Sequence, residues 1–435
     1  MLSHVFDHVQ ILVLGGLTIA KALSKVRLED VAASWLHHHT AHRPSLYLLG
    51  VMVLSCLLCS FVSNVAAPLL VLGVIQKTLW EFPSDTNAPK AILLGLAIAC
   101  NLGGMLSPIA SPQNAVALQV LTFHNVSFSS WVAISLPLVA VALLGAWWLL
   151  LWWFNPFEHV SYIPLQVTST HNANIRTPRS VETIFVVTVS LITVVLWCLP
   201  ASLLFGDTGI IALIPIVLFF GVGVLKKEDF NTLSWHLMFL LAGGNMLGVC
   251  ARDSHMVDLV ASLMEAFVAS QSAYVTVAVV ICSVGLVTTF VSHTVAAMIL
   301  LPIVAKIGFM LPAAGHSGAA AVAVASATKI GHHVATTTFA PAVAATVQHH
   351  FSWHSLFTAS AISPATLVFL SVLMCSGAMA FPISSFPNVN SLLAEDEFGK
   401  PYLAARDFLG IGTVITLFLV VSLATWMLPL TALFI

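Results

Sequence analysis

Residues 99–118, ACNLGGMLSPIASPQNAVAL, are apolar enough to lie in a membrane but are not built as a continuous helix. Gly103-Gly104, Pro108 and Pro112 interrupt the stretch, and serine, glutamine and asparagine side chains bring polar groups to the interruption. In hydrocarbon, a backbone group freed from its helix costs free energy unless another group satisfies it. The stretch therefore predicts a broken transmembrane helix whose break lines a buried cavity.

A second copy of this pattern occurs near the other end of the chain. The segment 377–388, GAMAFPISSFPN, matches 103–114, GGMLSPIASPQN, at six of twelve positions, namely the Gly, Met, Pro, Ile, Ser and Asn. Two broken helices at corresponding places in two halves of a membrane protein indicate the binding site of a transporter.

Composition fixes the class of protein. Of the 435 residues 59% are hydrophobic and 7% charged, and the mean hydropathy is +1.00, whereas soluble domains carry about 25% charged residues. The chain is thus predicted to be an all-α polytopic membrane protein. Its net charge of −2 comes without a basic tail, which gives nucleic-acid binding no support. No aspartate pair, HExxH or GxSxG motif suggests an enzyme.

Short apolar arms flank two polar tips. Arms 46–62 and 65–76 surround Ser63-Asn64, and arms 273–291 and 294–305 surround Ser292-His293-Thr294. The arms around the first tip are shorter than the roughly 20 residues of a full span, so each tip is predicted to cap a re-entrant hairpin. Broken helices are predicted over 91–121 and 362–393, and continuous spans over 131–153, 183–204, 208–225 and 408–430.

The repeats divide the chain into residues 1–154, a cytoplasmic linker 155–182, and residues 183–435. Ser63 precedes Ser111 by 48 residues and Ser292 precedes Ser385 by 93, which predicts an insertion at about 306–360 in the second repeat. If the second repeat mirrors the first, two spans should precede the first segment at 5–20. The sequence therefore predicts an N-terminal truncation.

The distribution of basic residues predicts the orientation. Twelve of the fifteen lysines and arginines fall in five loops, 21–43, 77–90, 155–182, 226–230 and 394–406. Placing these loops on the cytoplasmic side satisfies the positive-inside rule. The two hairpins then enter from opposite sides, as in the inverted repeats of alternating-access transporters.

Four motifs resemble those of the divalent anion/sodium symporter superfamily, whose hairpins carry Ser-Asn-Thr and whose broken helices carry Thr-Pro-Pro-Asn, each twice. The corresponding residues here are Ser63-Asn64-Val65, Ser292-His293-Thr294, Ser111-Pro112-Gln113-Asn114 and Ser385-Phe386-Pro387-Asn388. Within the superfamily, SNVAAPLL and NLGGMLSPIASPQN look most like the low-affinity phosphate carriers of fungi and protists, which often carry an N-terminal SPX domain.

The resemblance implies a secondary transporter of inorganic phosphate, coupled to sodium, that works by an elevator-type movement. It implies an integral multi-pass protein in contact with lipid and forming a homodimer, with no cofactor and no metal beyond the coupling ion sodium. The implied substrate-binding residues are Ser63, Asn64, Val65, Ser292, His293 and Thr294. The implied sodium-binding residues are Ser63, Asn64, Gly103, Ser107, Ser111, Asn114, Ser292, Gly377, Phe381, Ser385 and Asn388.

Several alternatives stay open on the sequence. The substrate could be sulfate or a dicarboxylate, and the chain could be a transport-inactive membrane protein. The scarcity of carboxylates within the predicted spans favours sodium over proton coupling. His293 stands where the superfamily has asparagine; it could donate to phosphate, titrate and link transport to pH, or fill the role of asparagine. The plasma membrane and an acidic-organelle membrane are both open.

Overall fold

The protein is described by a computed structural model that covers 8–27, 35–40, 42–121, 126–163, 180–198, 208–246, 271–310 and 362–435, together with residue 254. Within these ranges, positions 63, 65, 84, 85, 159, 161, 234, 236, 237, 240, 241, 244, 245 and 433 are not described. The predicted insertion therefore lies, from residue 311 onward, outside the described residues. So does most of 235–250.

The described part of the chain is helical, with a single isolated β-bridge between Glu395 and Pro401. In chain order the helices are α1 His8–Lys25, α2 Pro44–Val62, α3 Ala66–Trp80, α4 Ala88–Gly103, α5 Pro112–Val120, α6 Phe128–Phe154, α7 Ser180–Cys198, α8 Thr208–Gly221, α9 Lys227–Asn231, α10 Ala273–Phe290, α11 His293–Met310, α12 Pro364–Gly377, α13 Phe386–Leu392, α14 Ala405–Ala424 and α15 Met427–Ala432, with a 3-10 turn at Pro382–Ser384.

Serine caps set the start of four of the described helices, with Ser385 at the start of α13 as one of them. The Ser127 side chain accepts the Ser130 N–H at 3.0 Å at the start of α6, and Ser363 accepts the Thr366 N–H at 3.0 Å at the start of α12. Ser272 does the same for α10. Such caps satisfy N–H groups that the first helical turn leaves without a partner.

The helix bounds correct the sequence-based prediction in the first loop, in the loop 226–230, where α9 is helical, and in the last span. Helix α1 continues to Lys25 and residues 35–40 are helical, so the predicted polar loop 21–43 is partly helical. The predicted last span, 408–430, is two helices, because α14 ends at Ala424 and α15 begins at Met427. At Thr425 the backbone leaves the helical region, with φ −108° and ψ −94°.

Among the described residues, α2, α6 and α14 contain stretches long and apolar enough to cross a membrane. The first arm of the first hairpin is α2, which has 19 residues and is longer than predicted. Re-entry of this hairpin therefore stays a prediction.

The first arms of the two broken helices form the centre of the molecule. In α4 every residue except Lys90 is buried, and in α12 every residue after Pro364 is buried. Helix α2 packs on α4, and α11 packs on both α12 and α5. A helix that is apolar on all sides belongs in the core of a bundle. The two breaks directly follow α4 and α12, so they lie in the core as well.

The described residues of the five loops rich in basic residues meet at one end of the molecule. Four hydrogen bonds join them: Lys25 to the Asp229 carboxylate, His37 to Ile163 O, Asn87 to the carbonyl of Phe154, which directly precedes the loop 155–182, and Trp80 to Glu395 O. Which side of the membrane this end faces stays a prediction.

The ion pair between Lys25 and Asp229 fastens α1 to α9 at this end. Partial burial raises the pKa of the Asp229 carboxyl, but hydrogen bonds from Lys25 and from the Lys226 N–H, with the positive charge of Lys25 and Lys21, hold it below its usual value. The pair therefore stabilises the fold above the unfolded-state pKa of about 3.9. That stabilisation is lost as the pH falls through the lower folded-state pKa.

We expect Asp229→Asn to lower stability at pH 7 by about 0.5–1 kcal/mol, since the pair is partly exposed. Thermal unfolding of the purified protein and the variant measures the difference, which should vanish below the folded-state pKa. Glu228→Gln, which changes an exposed neighbouring carboxylate, is the matched control and should leave the curve unchanged at both pH values. A difference for Asp229→Asn that persists in acid would contradict the linkage.

Candidate functional site

The side chain of Asn114 closes the first break. Its Nδ2 donates to Gly104 O at 2.7 Å and to Ser107 O at 2.8 Å. Ser111 begins α5 with an extended backbone (φ −146°, ψ 150°), and its hydroxyl also donates to Gly104 O, at 3.1 Å. The polar residues that interrupt the apolar stretch thus satisfy carbonyls that the interruption frees, which the cost of unpaired buried groups requires.

The first tip lies directly against this break. The Asn64 N–H donates to Ala110 O at 3.0 Å, and the Ser107 hydroxyl donates to Ser60 O at 2.7 Å. Asn64 is 4% exposed, and its Nδ2 lies within van der Waals distance of the position that a Cβ at Gly104 would occupy. The structure therefore brings together the tip and the break that the sequence assigned to one half of the site; Ser63 and Val65 lie outside the described residues.

Two buried amide oxygens at this place have no hydrogen-bond partner within the described part of the chain. They are Asn64 Oδ1 and Asn114 Oδ1, and both side chains lie beside Gly104. Because the Asn114 Nδ2 donates to two carbonyls, which only accept, the atom left over is its oxygen. Buried polar atoms are nearly always paired, so two unpaired amide oxygens on side chains that flank one glycine have the chemistry of a site for a hard cation, which takes oxygen ligands.

The second break repeats the closure of the first. Asn388 Nδ2 donates to Met379 O at 3.3 Å and to Phe381 O at 3.1 Å. Ser385, the equivalent of Ser111, has almost the same backbone angles (φ −146°, ψ 154°) and accepts the Asn388 N–H at 3.3 Å. Gly377 O accepts from the Thr416 hydroxyl at 3.2 Å. The similarity of the two motifs in sequence is thus a similarity in local geometry.

The second tip also lies against its break, but through a different side chain. His293 is 3% exposed, and its Nε2 lies 3.0 Å from Ala378 O, while its Nδ1 has no partner among the described residues. Thr294 is buried beside it, and Ser292 is half-buried at the start of α11. All the described members of the two predicted site lists therefore lie at the tips or at the breaks.

Two side-chain hydrogen bonds join the breaks to each other. Asn101 Nδ2 donates to Asn388 Oδ1 at 2.9 Å, and Gln113 Nε2 donates to the Ser376 hydroxyl at 2.8 Å. Sequence analysis assigned no role to Asn101 or Ser376. Their signal in the sequence is weak, since each is one of only a few polar residues in an apolar helix, a feature that marks a functional or polar contact inside a membrane bundle.

One histidine of the first predicted loop, His37, is buried and has a structural role. His37 is 6% exposed and its Nε2 lies 3.1 Å from Ile163 O. Among the described residues, no group of three His, Cys, Asp or Glu side chains could hold a metal ion.

The chain is similar in sequence to several known transporters. A sequence profile described as a citrate transporter (CitMHS) matches residues 1–329. An uncharacterized transporter of Schizosaccharomyces pombe is 33% identical over 95% of this chain and 42% of its own length. In Saccharomyces cerevisiae, the inorganic phosphate transporter PHO87 is 33% identical over 58% of this chain and 27% of its own. The low-affinity phosphate transporter PHO90 of the same yeast is 34% identical over 53% and 26%.

More distant similarity extends to proteins named as sodium-dependent transporters. The sodium-dependent dicarboxylate transporter SdcS of Staphylococcus aureus is 29% identical over 35% of this chain and 32% of its own length. The chain spans less than half of the length of each of these curated relatives.

The apolar helices and these similarities define a multi-pass integral membrane protein of the transporter class. The chain belongs to the citrate transporter family, which is related to the divalent anion/sodium symporters whose motifs the sequence resembles.

Proposed function

We propose that the protein is a sodium-coupled transporter of inorganic phosphate. The observation that carries the coupling is that Asn64 and Asn114 flank the same glycine, and that the buried Oδ1 of each has no partner among the described residues. A sodium ion there would accept both oxygens as ligands, and its charge would remove the cost of leaving them unpaired. The sodium-dependent relatives support this reading.

The anion would bind between the two tips. Helices α3 and α11 begin there, at Ala66 and His293, and a helix N-terminus offers free N–H groups and about half a positive charge. The hydroxyls of Ser292 and Thr294 add donors. Such a site holds an oxyanion by hydrogen bonds without a fixed positive charge, so the anion is able to leave again. Two yeast relatives named as phosphate transporters favour phosphate as this anion.

The movement would be of the elevator type. The bonds Asn101–Asn388 and Gln113–Ser376 connect the two breaks directly. The two half-sites, each formed by one tip and its break, would therefore move as one body. Helices α1 and α8 pack closely on each other and would belong to the part that stays in place. The homodimer implied by the resemblance would supply a fixed frame for this movement.

We expect radiolabelled phosphate to enter proteoliposomes containing the protein only when sodium is higher outside. Uptake should fall to the level of empty liposomes when choline replaces sodium. Uptake that is equally fast without sodium would refute the coupling.

Ser292→Ala should raise the KM for phosphate, because one donor at the second tip is lost. The rise should be roughly tenfold if the bond to the charged anion is worth about 1.5 kcal/mol.

A dicarboxylate or citrate is the second candidate substrate, because the matching family is described as citrate transporters and the Staphylococcus aureus relative as a dicarboxylate transporter. Competition in the same proteoliposomes separates the candidates. Excess unlabelled sulfate, succinate or citrate should leave phosphate uptake unchanged. Complete inhibition by citrate with direct citrate uptake would assign the carboxylate instead.

A further inference from the structure

The two half-sites are alike in their frame and different in their ligands. Aligning Gly103 with Gly377 pairs Asn114 with Asn388, and both asparagines close their breaks through Nδ2. The same alignment pairs Asn101 with Cys375, and the tips pair Asn64 with His293. The differences fall on the atoms that would face a cation.

In the second half-site the amide oxygen of Asn388 already accepts a hydrogen bond. Asn388 Nδ2 donates to the carbonyls of Met379 and Phe381, which fixes the orientation of the amide and turns Oδ1 toward Asn101. Asn101 Nδ2 donates to this Oδ1 at 2.9 Å. Cys375 stands at the position that corresponds to Asn101, so Asn114 receives no equivalent donor and its Oδ1 stays unpaired.

The second tip offers no oxygen from its central side chain. A carbonyl oxygen only accepts, so the Nε2 of His293 carries the hydrogen that is shared with Ala378 O. The remaining ring nitrogen, Nδ1, is not the oxygen ligand that a hard cation prefers. The N–H groups of His293 and Asn101 thus bring their partial positive charge against two oxygens of the second half-site, Ala378 O and Asn388 Oδ1.

The unpaired atoms around the two breaks show the same asymmetry. Among the described residues, the buried amide oxygens without a partner there are all on the first half: Asn64, Asn101, Gln113 and Asn114. On the second half the unpaired buried atoms are the hydroxyls of Ser371 and Ser391 and the Nδ1 of His293. The described residues of the second half at its break therefore contribute no unpaired amide oxygen of their own.

We propose that the protein binds a single sodium ion, at Asn64 and Asn114, and that the second half-site holds none because Asn101 and His293 provide N–H groups in its place. This inference rests on the proposed sodium coupling and narrows it. Its consequence for transport is that phosphate accumulation is driven by the first power of the sodium gradient. A protein with two equivalent sodium sites would use the second power.

Equilibrium dialysis of the purified 435-residue protein against radioactive sodium tests this directly, with no transport needed. We expect one sodium ion per chain for the wild type. Asn64→His, which gives the first tip the residue of the second, should abolish binding. The double variant Asn101→Cys with His293→Asn, which gives the second half the residues of the first, should bind two ions per chain.

Size-exclusion profiles and melting temperatures identify variants that do not fold, and the wild-type stoichiometry and Asn64→His decide the question if the double variant is among them. Two ions per wild-type chain would overturn the single-site inference and leave the proposed function standing. Full binding by a folded Asn64→His variant would also overturn it. No bound sodium at all would overturn the proposed coupling itself, which is a different result from either.

Discussion

Asn114→Ala is expected to abolish sodium-dependent phosphate uptake. The substitution removes the donor to Gly104 O and Ser107 O. Gly104 O keeps the Ser111 hydroxyl and Ser107 O keeps the Ala110 N–H, so each lost bond costs about 0.5–1.5 kcal/mol. The substitution also removes Oδ1, one of the two amide oxygens proposed to hold sodium. We therefore expect the sodium concentration for half-maximal uptake to rise at least roughly tenfold, or uptake to be lost.

Asn87→Ala is the matched control for this experiment. Asn87 precedes α4 and donates one hydrogen bond to Phe154 O, at 3.3 Å, away from both breaks. The control should keep wild-type uptake and wild-type sodium dependence. Normal sodium dependence in a folded Asn114→Ala protein would exclude Asn114 from the ion site. If the Asn114→Ala protein fails to fold, closing the break is the larger of the two roles of Asn114. Sodium binding by the Asn64→His variant then tests the ion site separately.

The breaks could be predicted from the sequence because their causes are local. Glycine, proline and an asparagine eleven residues after the first glycine specify where each helix stops and what satisfies its carbonyls. The predicted broken helix, 91–121, agrees within a few residues with the outer ends of α4 and α5. The end of α14 at Ala424 was not predicted, although Pro429 is a local signal for it: proline has no N–H and its ring clashes with the carbonyl four residues earlier, that of Thr425.

The asymmetry of the site could not be predicted, because it depends on contacts across the chain. Asn101 and Asn388 are 287 residues apart, and neither the spacing nor the composition near Asn101 indicates its partner. His293 was visible in the sequence as a departure from asparagine, but three roles stayed open for it. Its bond to Ala378 O becomes apparent only when the tip is placed on the break. A motif comparison shows that two half-sites are related, whereas their ligand chemistry depends on residues outside the motifs.

The two bonds between the breaks also explain why a polar cluster is tolerated in the most buried part of the bundle. Gln113 and Asn101 each lie on the first broken helix and donate to the second. In an apolar bundle such bonds specify one register between the halves, since any other register leaves buried donors unpaired. The geometry of each half-site is therefore tied to that of the other.

Gly103→Ala is expected to have the largest effect on stability. A Cβ at Gly103 would clash with Cys56 O and lie 2.9 Å from the Cys56 carbonyl carbon, so α2 and α4 would have to separate. The clash is with backbone, which no side-chain rotamer relieves, and overpacking of this kind costs about 1–3 kcal/mol or more. Because Ser60 and Asn64 follow Cys56 toward the tip, the separation would also move Asn64 away from the break and weaken sodium binding.

Gly145→Ala provides the control, because nothing lies within 4 Å of a Cβ at Gly145 in the middle of α6. There alanine should raise stability by up to about 1 kcal/mol through its higher helix propensity. Thermal unfolding with and without sodium measures both effects: Gly103→Ala should melt several degrees lower and lose the stabilisation that bound sodium gives, and Gly145→Ala should keep it. If the Gly103→Ala protein melts as the wild type does and is stabilised by sodium to the same extent, the close packing of α2 on α4 is not what positions Asn64 at the ion.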